Sequence, residues 1–169
     1  ICYSYNADEK NIYEYYIDKE GNPISIKGGY FGIKRSYDSK GYILSLTYVD
    51  EDGNGIINES YGAATITYEY NETGKNICER YFDENSVPMA RVNGAYGTKM
   101  EYNPDGRVSR YIYVDEQGTP IIISNGYASI TYEYDDNGRN IDERYFNVDG
   151  SPIALSSGQY GVKREYNEY

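Results

Sequence analysis

Residues 65–88 read TITYEYNETGKNICERYFDENSVP, and this stretch decides the fold. From Thr65 to Tyr70 polar and apolar side chains alternate, the period-two mark of a half-buried strand. The residues are β-branched and aromatic, which suits a pleated surface. Asn71-Glu72-Thr73-Gly74 is a turn in which Gly74 supplies the positive φ that other residues resist. Residues 75–82 read as the return strand. Residues 83–88 form a second turn, where Pro88 fixes φ and ends strand pairing on its side. A short apolar stretch follows, clearer further on as Pro120-Ile121-Ile122-Ile123 and Pro152-Ile153-Ala154-Leu155, and then a glycine and a new strand. Each unit is thus a β-hairpin plus a shorter extended piece. No window carries the i, i+3, i+4, i+7 apolar stripe of a helix.

The same grammar recurs along the chain. A Tyr followed by Asn or Asp falls at Tyr5, Tyr37, Tyr70, Tyr102, Tyr134 and Tyr166, in steps of 32, 33, 32, 32 and 32. A second tyrosine series (Tyr16, Tyr48, Tyr81, Tyr113, Tyr145) and a glycine series (Gly29, Gly62, Gly94, Gly126, Gly158) share that period. The extra residue of the longer step lies in Ile56–Tyr61, which reads IINESY. Repeats at such a period mark arrays in which each unit buries its neighbour's face. The expectation is an all-β, elongated tandem-repeat array, a β-solenoid or a set of stacked β-hairpins, with a 32-residue period. Its five units run over residues 5–36, 37–69, 70–101, 102–133 and 134–165, in a single array spanning 1–169. Periodicity fixes adjacency and not curvature, so closed solenoid and open ribbon both stay open. Ile1 enters partway through a unit, the chain stops at Tyr169 inside the turn of a sixth, and no capping unit is visible. The chain therefore reads as a segment of a longer protein.

Composition narrows the core and the partners. Of 169 residues 24 are Tyr, 18 are Gly, and none is His or Trp. Other large apolar residues are too sparse for a thick core, so aromatic rings must supply most of the burial. The Tyr70 and Tyr81 series are expected to form internal ring ladders, with Ile12, Leu44, Ile77 and Ile141 beside them and Ser109 a weak spot. Absent histidine removes the commonest general base and metal ligand. A formal charge of −11 argues against nucleic acid, which needs clustered Lys and Arg. No apolar run approaches the ~20 residues of a membrane-spanning helix. Cys2 and Cys78 lie two units apart, beyond the ~7 Å Cα limit of a disulfide, and should be free thiols.

Candidate chemistry is thin. Asp50, Asp52 and Asn54, followed by Gly55 and Ile57, copy the front of a calcium loop, yet the position of the closing Glu is Tyr61. Elsewhere the same place reads DKEGNP, DENSVP, DEQGTP and NVDGSP, so an ordinary turn is expected, with no metal and no cofactor. Paired acids such as Asp135-Asp136 and Asp83-Glu84 sit in repeated, solvated turns, whereas an active site is normally unique; no enzyme is expected. The tyrosine surplus carries more weight. Rings at Tyr3, Tyr13 and Tyr15 come and go between units, as do Tyr30, Phe31, Tyr61, Tyr96, Tyr127 and Tyr160. Exposed in a row, the last six would form a ligand-binding face, stacking on sugar rings or caging a quaternary ammonium. The alternative is that they cover glycine-rich backbone on a thin sheet.

YDSKGY at 37–42, YNPDGR at 102–107 and YDDNGR at 134–139 resemble the YD (RHS) repeat family. The alternation of Tyr-rich strands and Gly turns is also similar in style to the choline- and cell-wall-binding repeats of Gram-positive surface proteins. Both resemblances imply a large bacterial protein, secreted or surface-attached, built from β-hairpins without catalysis in the repeats. The expected function is non-catalytic binding of glycan, cell wall or host surface, extracellular or at the cell surface. The rivals are a structural spacer or shell repeat of a large surface protein or toxin, and a protein-interaction scaffold.

Overall fold

A computed structural model of the chain describes residues 1–167. Tyr169, expected inside a sixth turn, lies outside the described residues. The described residues form eleven strands and no helix. The chain divides into two compact units, Ile1–Val92 and Asn93–Tyr169.

The first unit holds three antiparallel hairpins: β1 (Cys2–Tyr5) with β2 (Asn11–Tyr15), β3 (Gly32–Tyr37) with β4 (Ile43–Val49), and β5 (Thr65–Tyr70) with β6 (Asn76–Phe82). Each hairpin also pairs antiparallel with the next, β2 to β3 and β4 to β5. The second unit repeats the plan with β7 (Gly97–Tyr102) and β8 (Val108–Val114), then β9 (Ser129–Tyr134) and β10 (Asn140–Phe146). There β8 pairs with β9 and β10 with β11 (Gly161–Lys163). Within each unit the result is an open antiparallel sheet of successive hairpins.

One turn is used twice per hairpin. At the hairpin tip Asp38 accepts the amide of Gly41 at its carbonyl and donates its own amide to the Tyr42 carbonyl. Its Oδ1 takes the amides of Lys40 and Tyr42. After the return strand Asp50 does the same with Gly53, Asn54 and Asp52. A side chain that satisfies its own turn's amides is why Asp or Asn opens each turn. The fourth residue needs φ > 0; Gly41 and Gly53 sit at 85° and 82°. Among the described residues only Glu9 (59°) and Ser86 (63°) hold that place without being glycine.

After the second turn the third piece folds back on the strand it left. Isolated bridges join Phe82 to Pro88, Val114 to Pro120 and Phe146 to Pro152. The amides of Met89, Ile121 and Ile153 donate to the carbonyls of Tyr81, Tyr113 and Tyr145. The core lies under these returns. Ala63, Ile66 and Tyr81 pack with Leu46, Tyr48, Tyr61, Tyr68 and Met89, while Val49 and Val114 are fully buried. Tyr81 and Tyr145 of the expected tyrosine series are buried there, but the apolar residues expected beside that series are not. Leu44 is exposed, and Ile12, Ile77 and Ile141 are only half-buried, because they lie nearer the hairpin tips than the folded-back segments reach. Both cysteines are free thiols, Cys2 exposed and Cys78 buried.

Candidate functional site: an interleaved tyrosine ladder

Equivalent tyrosines do not stack directly. Hairpins recur every second strand, roughly 10 Å apart at ordinary strand spacing, too far for ring contact. Another ring fills each gap. Centroids of Tyr16 and Tyr30 are 6.0 Å apart, Tyr30 and Tyr48 4.7 Å, Tyr48 and Tyr61 6.4 Å, and Tyr61 and Tyr81 6.0 Å. In the second unit Tyr113, Tyr127 and Tyr145 continue the scheme at 5.8 and 4.9 Å. The residues at the glycine turns thus intercalate between tyrosines at the strand ends.

This places the six predicted binding residues. Tyr30, Tyr61 and Tyr127 are rungs and half-buried. Phe31, which follows Tyr30, and Tyr96 are half-buried, their amides donating to the carbonyls of Val49 and Val114. Tyr160 is 54% exposed. Within the first unit the aromatic row is a packed, largely half-buried seam rather than a bare platform.

Carboxylates line the ladder at every second hairpin. Tyr16 donates its hydroxyl to Glu14 at 2.6 Å, and Arg35 donates to the other oxygen at 3.0 Å. Tyr81 and Tyr61 donate to Glu79 at 3.3 and 3.4 Å, and Asn76 donates to it at 3.0 Å. In the second unit Arg164 pairs with Glu143 at 2.8 Å. Burial, then the neighbouring carboxylate and rings, pushes the phenols of Tyr16, Tyr61 and Tyr68 far above the ordinary tyrosine range, because ionisation there would be desolvated and beside negative charge. A cation already uses the seam: the Arg91 guanidinium lies 4.1 Å over Tyr61 and 5.1 Å over Tyr81, its Nε donating to the Tyr61 carbonyl. Sequence reasoning missed these acids. Their signal was present as Glu-x-Tyr at 14/16, 79/81 and 143/145, with Leu46 and Tyr111 in the hairpins between.

The weak metal candidate is a closed turn. Asp50 spends Oδ1 on the amides of Asp52 and Asn54, and Tyr15 and Lys34 donate to the turn carbonyls of Glu51 and Gly53. Among the described residues no group of three or more His, Cys, Asp or Glu is arranged to hold a metal.

A groove of about 220 Å³ opens between the tips of the first two hairpins, lined by Asn6, Asp8, Lys10 and Ile12 from one and Tyr37 to Gly41 from the other. The Tyr37 hydroxyl donates to the Asn11 carbonyl at 2.6 Å, which fixes the ring. No helix among the described residues is long and apolar enough to cross a membrane. No protein-family model matches the chain, and no curated protein matches it.

Proposed function

We propose that this chain is a non-catalytic, tyrosine-rich β-hairpin array of a bacterial surface or secreted protein that binds glycan, cell-wall polymer or host surface. The observation that carries the reading is the seam itself: rings held against neighbouring rings at 4.7 and 6.4 Å stay half-exposed, so a ligand meets aromatic surface with little ordering cost. The likeness of YDSKGY, YNPDGR and YDDNGR to YD (RHS) repeats supports the surface setting. Absent histidine, and acids engaged by turn amides, support a non-catalytic role. We further read the array as five 32-residue modules. The support is the spacing of the hairpin-opening strands, which begin at Gly32, Thr65, Gly97, Ser129 and Gly161.

A second reading, a structural spacer or shell repeat, draws support from the half-burial of five of the six candidate rings, since packed rings stiffen an array whether or not they touch a ligand. A glycan array probed with the chain separates the two. Selective signal for a class of sugars is expected; flat signal across all sugars favours the spacer.

A further inference from the structure

We propose that the groove between the tips of hairpins β1–β2 and β3–β4 takes one neutral sugar ring, stacked on Tyr37; this rests on the glycan-binding reading and gives it a site. The argument comes from comparing equivalent hairpin tips. Tyr37, Tyr70, Tyr134 and Tyr166 occupy the same place, and each donates its hydroxyl to a backbone carbonyl of the preceding hairpin: Asn11, Ile43, Val108 and Asn140. At three of these the chain covers the ring itself. Tyr42 stacks on Tyr70 at 4.9 Å and 22°. Arg107 lies over Tyr134 at 5.6 Å, and Arg139 over Tyr166 at 4.7 Å.

The residue in that covering place before Tyr37 is Lys10. Its Cε and Nζ lie against Gly41, where a Cβ would come within 3.0 Å of both, as Arg107 lies against Gly138. The lysine ends there, and Tyr37 lines open space of about 220 Å³. At Tyr70, Tyr134 and Tyr166 a planar group fills this seat; beside Tyr37 the space is left for a visitor.

The lining selects the visitor. Tyr37 and Ile12 contribute apolar lining, while Asp8, Lys10, Ser39 and Lys40 contribute acceptors and donors. A pyranose has the matching build, with C–H faces and hydroxyls around its edge. Asp8 and Asp38 balance Lys10 and Lys40, so a guanidinium meets two ammoniums and an anion meets two carboxylates. The small volume fits a single ring.

Nuclear magnetic resonance titration of the chain with D-glucose, D-galactose and N-acetylglucosamine tests this. At least one is expected to shift the Tyr37 ring and the amides of Asp8 and Lys10, saturably. Lys10→Arg should lay a guanidinium over Tyr37, as at Tyr134, weakening binding about tenfold or more while the rest of the spectrum stays in place. Asp8→Ala, at an exposed site, should also weaken it. No shift with any of the three sugars, or undiminished binding in Lys10→Arg, overturns the groove proposal. Shifts centred on Tyr30 or Tyr61 overturn the groove but spare the glycan reading. Stronger displacement of the same resonances by L-arginine overturns the assignment to sugar.

Discussion

The hydroxyl of Tyr70 donates to the backbone carbonyl of Ile43, 3.0 Å away and across the boundary between two hairpins. The bond ties the first strand of one hairpin to the return strand of the one before it, at the hairpin tips. Replacing Tyr70 with Phe keeps the ring under Tyr42 and removes only this tie. A loss of about 0.5–1.5 kcal/mol is expected in urea unfolding, the net worth of one such bond. An unchanged midpoint would mean that water replaces the phenol at no cost.

Glu9 and Ser86 hold the left-handed position that glycine takes in the other turns. A side chain there costs about 1–2 kcal/mol, partly offset by the greater unfolded-state freedom of glycine. Ser86→Gly should therefore stabilise by up to about 1 kcal/mol, seen as a higher melting temperature. Gly53→Ser should destabilise by a similar amount through the same turn.

Gly32 and Gly161 are needed for a different reason. A Cβ on Gly32 would lie 2.4 Å from the Glu14 carbonyl oxygen, and one on Gly161 2.0 Å from that of Glu143. Both clashes are with backbone across a strand pair, so no side chain can swing aside. Gly32→Ala should cost about 1–3 kcal/mol, the usual range for overpacking, in the same unfolding assay.

The pH dependence follows from two sets of groups. The phenols of Tyr16, Tyr61, Tyr68 and Tyr132 are raised chiefly by burial, so the folded chain holds their protons more tightly than the unfolded chain does. Their contribution is full below the unfolded value of about 10 and is lost as pH climbs above it. Asp18, Asp50 and Asp135 are held below the ordinary range, first by the amides of Asn22, Asn54 and Arg139. Their contribution is present above the unfolded value of about 3.9 and is lost as pH falls through the folded one. Unfolding free energy against pH should thus be flat in between and fall at both ends. An ultraviolet titration showing all tyrosines ionising near 10 in the folded chain would contradict the alkaline half.

Much of this fold is legible in the letters. Asp or Asn followed three residues later by Gly encodes a turn through side-chain-to-amide bonds that need nothing distant, so residues 38–41 and 50–53 could be placed from sequence. The strands 65–70 and 76–82 follow from alternation between two such turns. The ladder's interior order was not legible. A repeat period aligns Tyr16 with Tyr48, but strand spacing keeps equivalent rings apart, and only three-dimensional geometry brings Tyr30 between them. The carboxylates stayed hidden for a related reason. Glu14, Glu79 and Glu143 occur in alternate hairpins, while the Tyr and Gly signature that reveals the period is common to all. The groove at Tyr37 is an absence of cover, visible only when Lys10 is set beside Tyr42, Arg107 and Arg139 in space.

The interleaving of Tyr30 with Tyr48 is tested most directly by double-mutant cycles on ring removal. Tyr30 and Tyr48, whose centroids are 4.7 Å apart, should couple by about 0.5–1.5 kcal/mol. Tyr16 and Tyr81, separated by the rest of the ladder and sharing no ring neighbour, should be additive within about 0.5 kcal/mol. Additivity at Tyr30 and Tyr48, with the two single losses simply summing, would contradict the account.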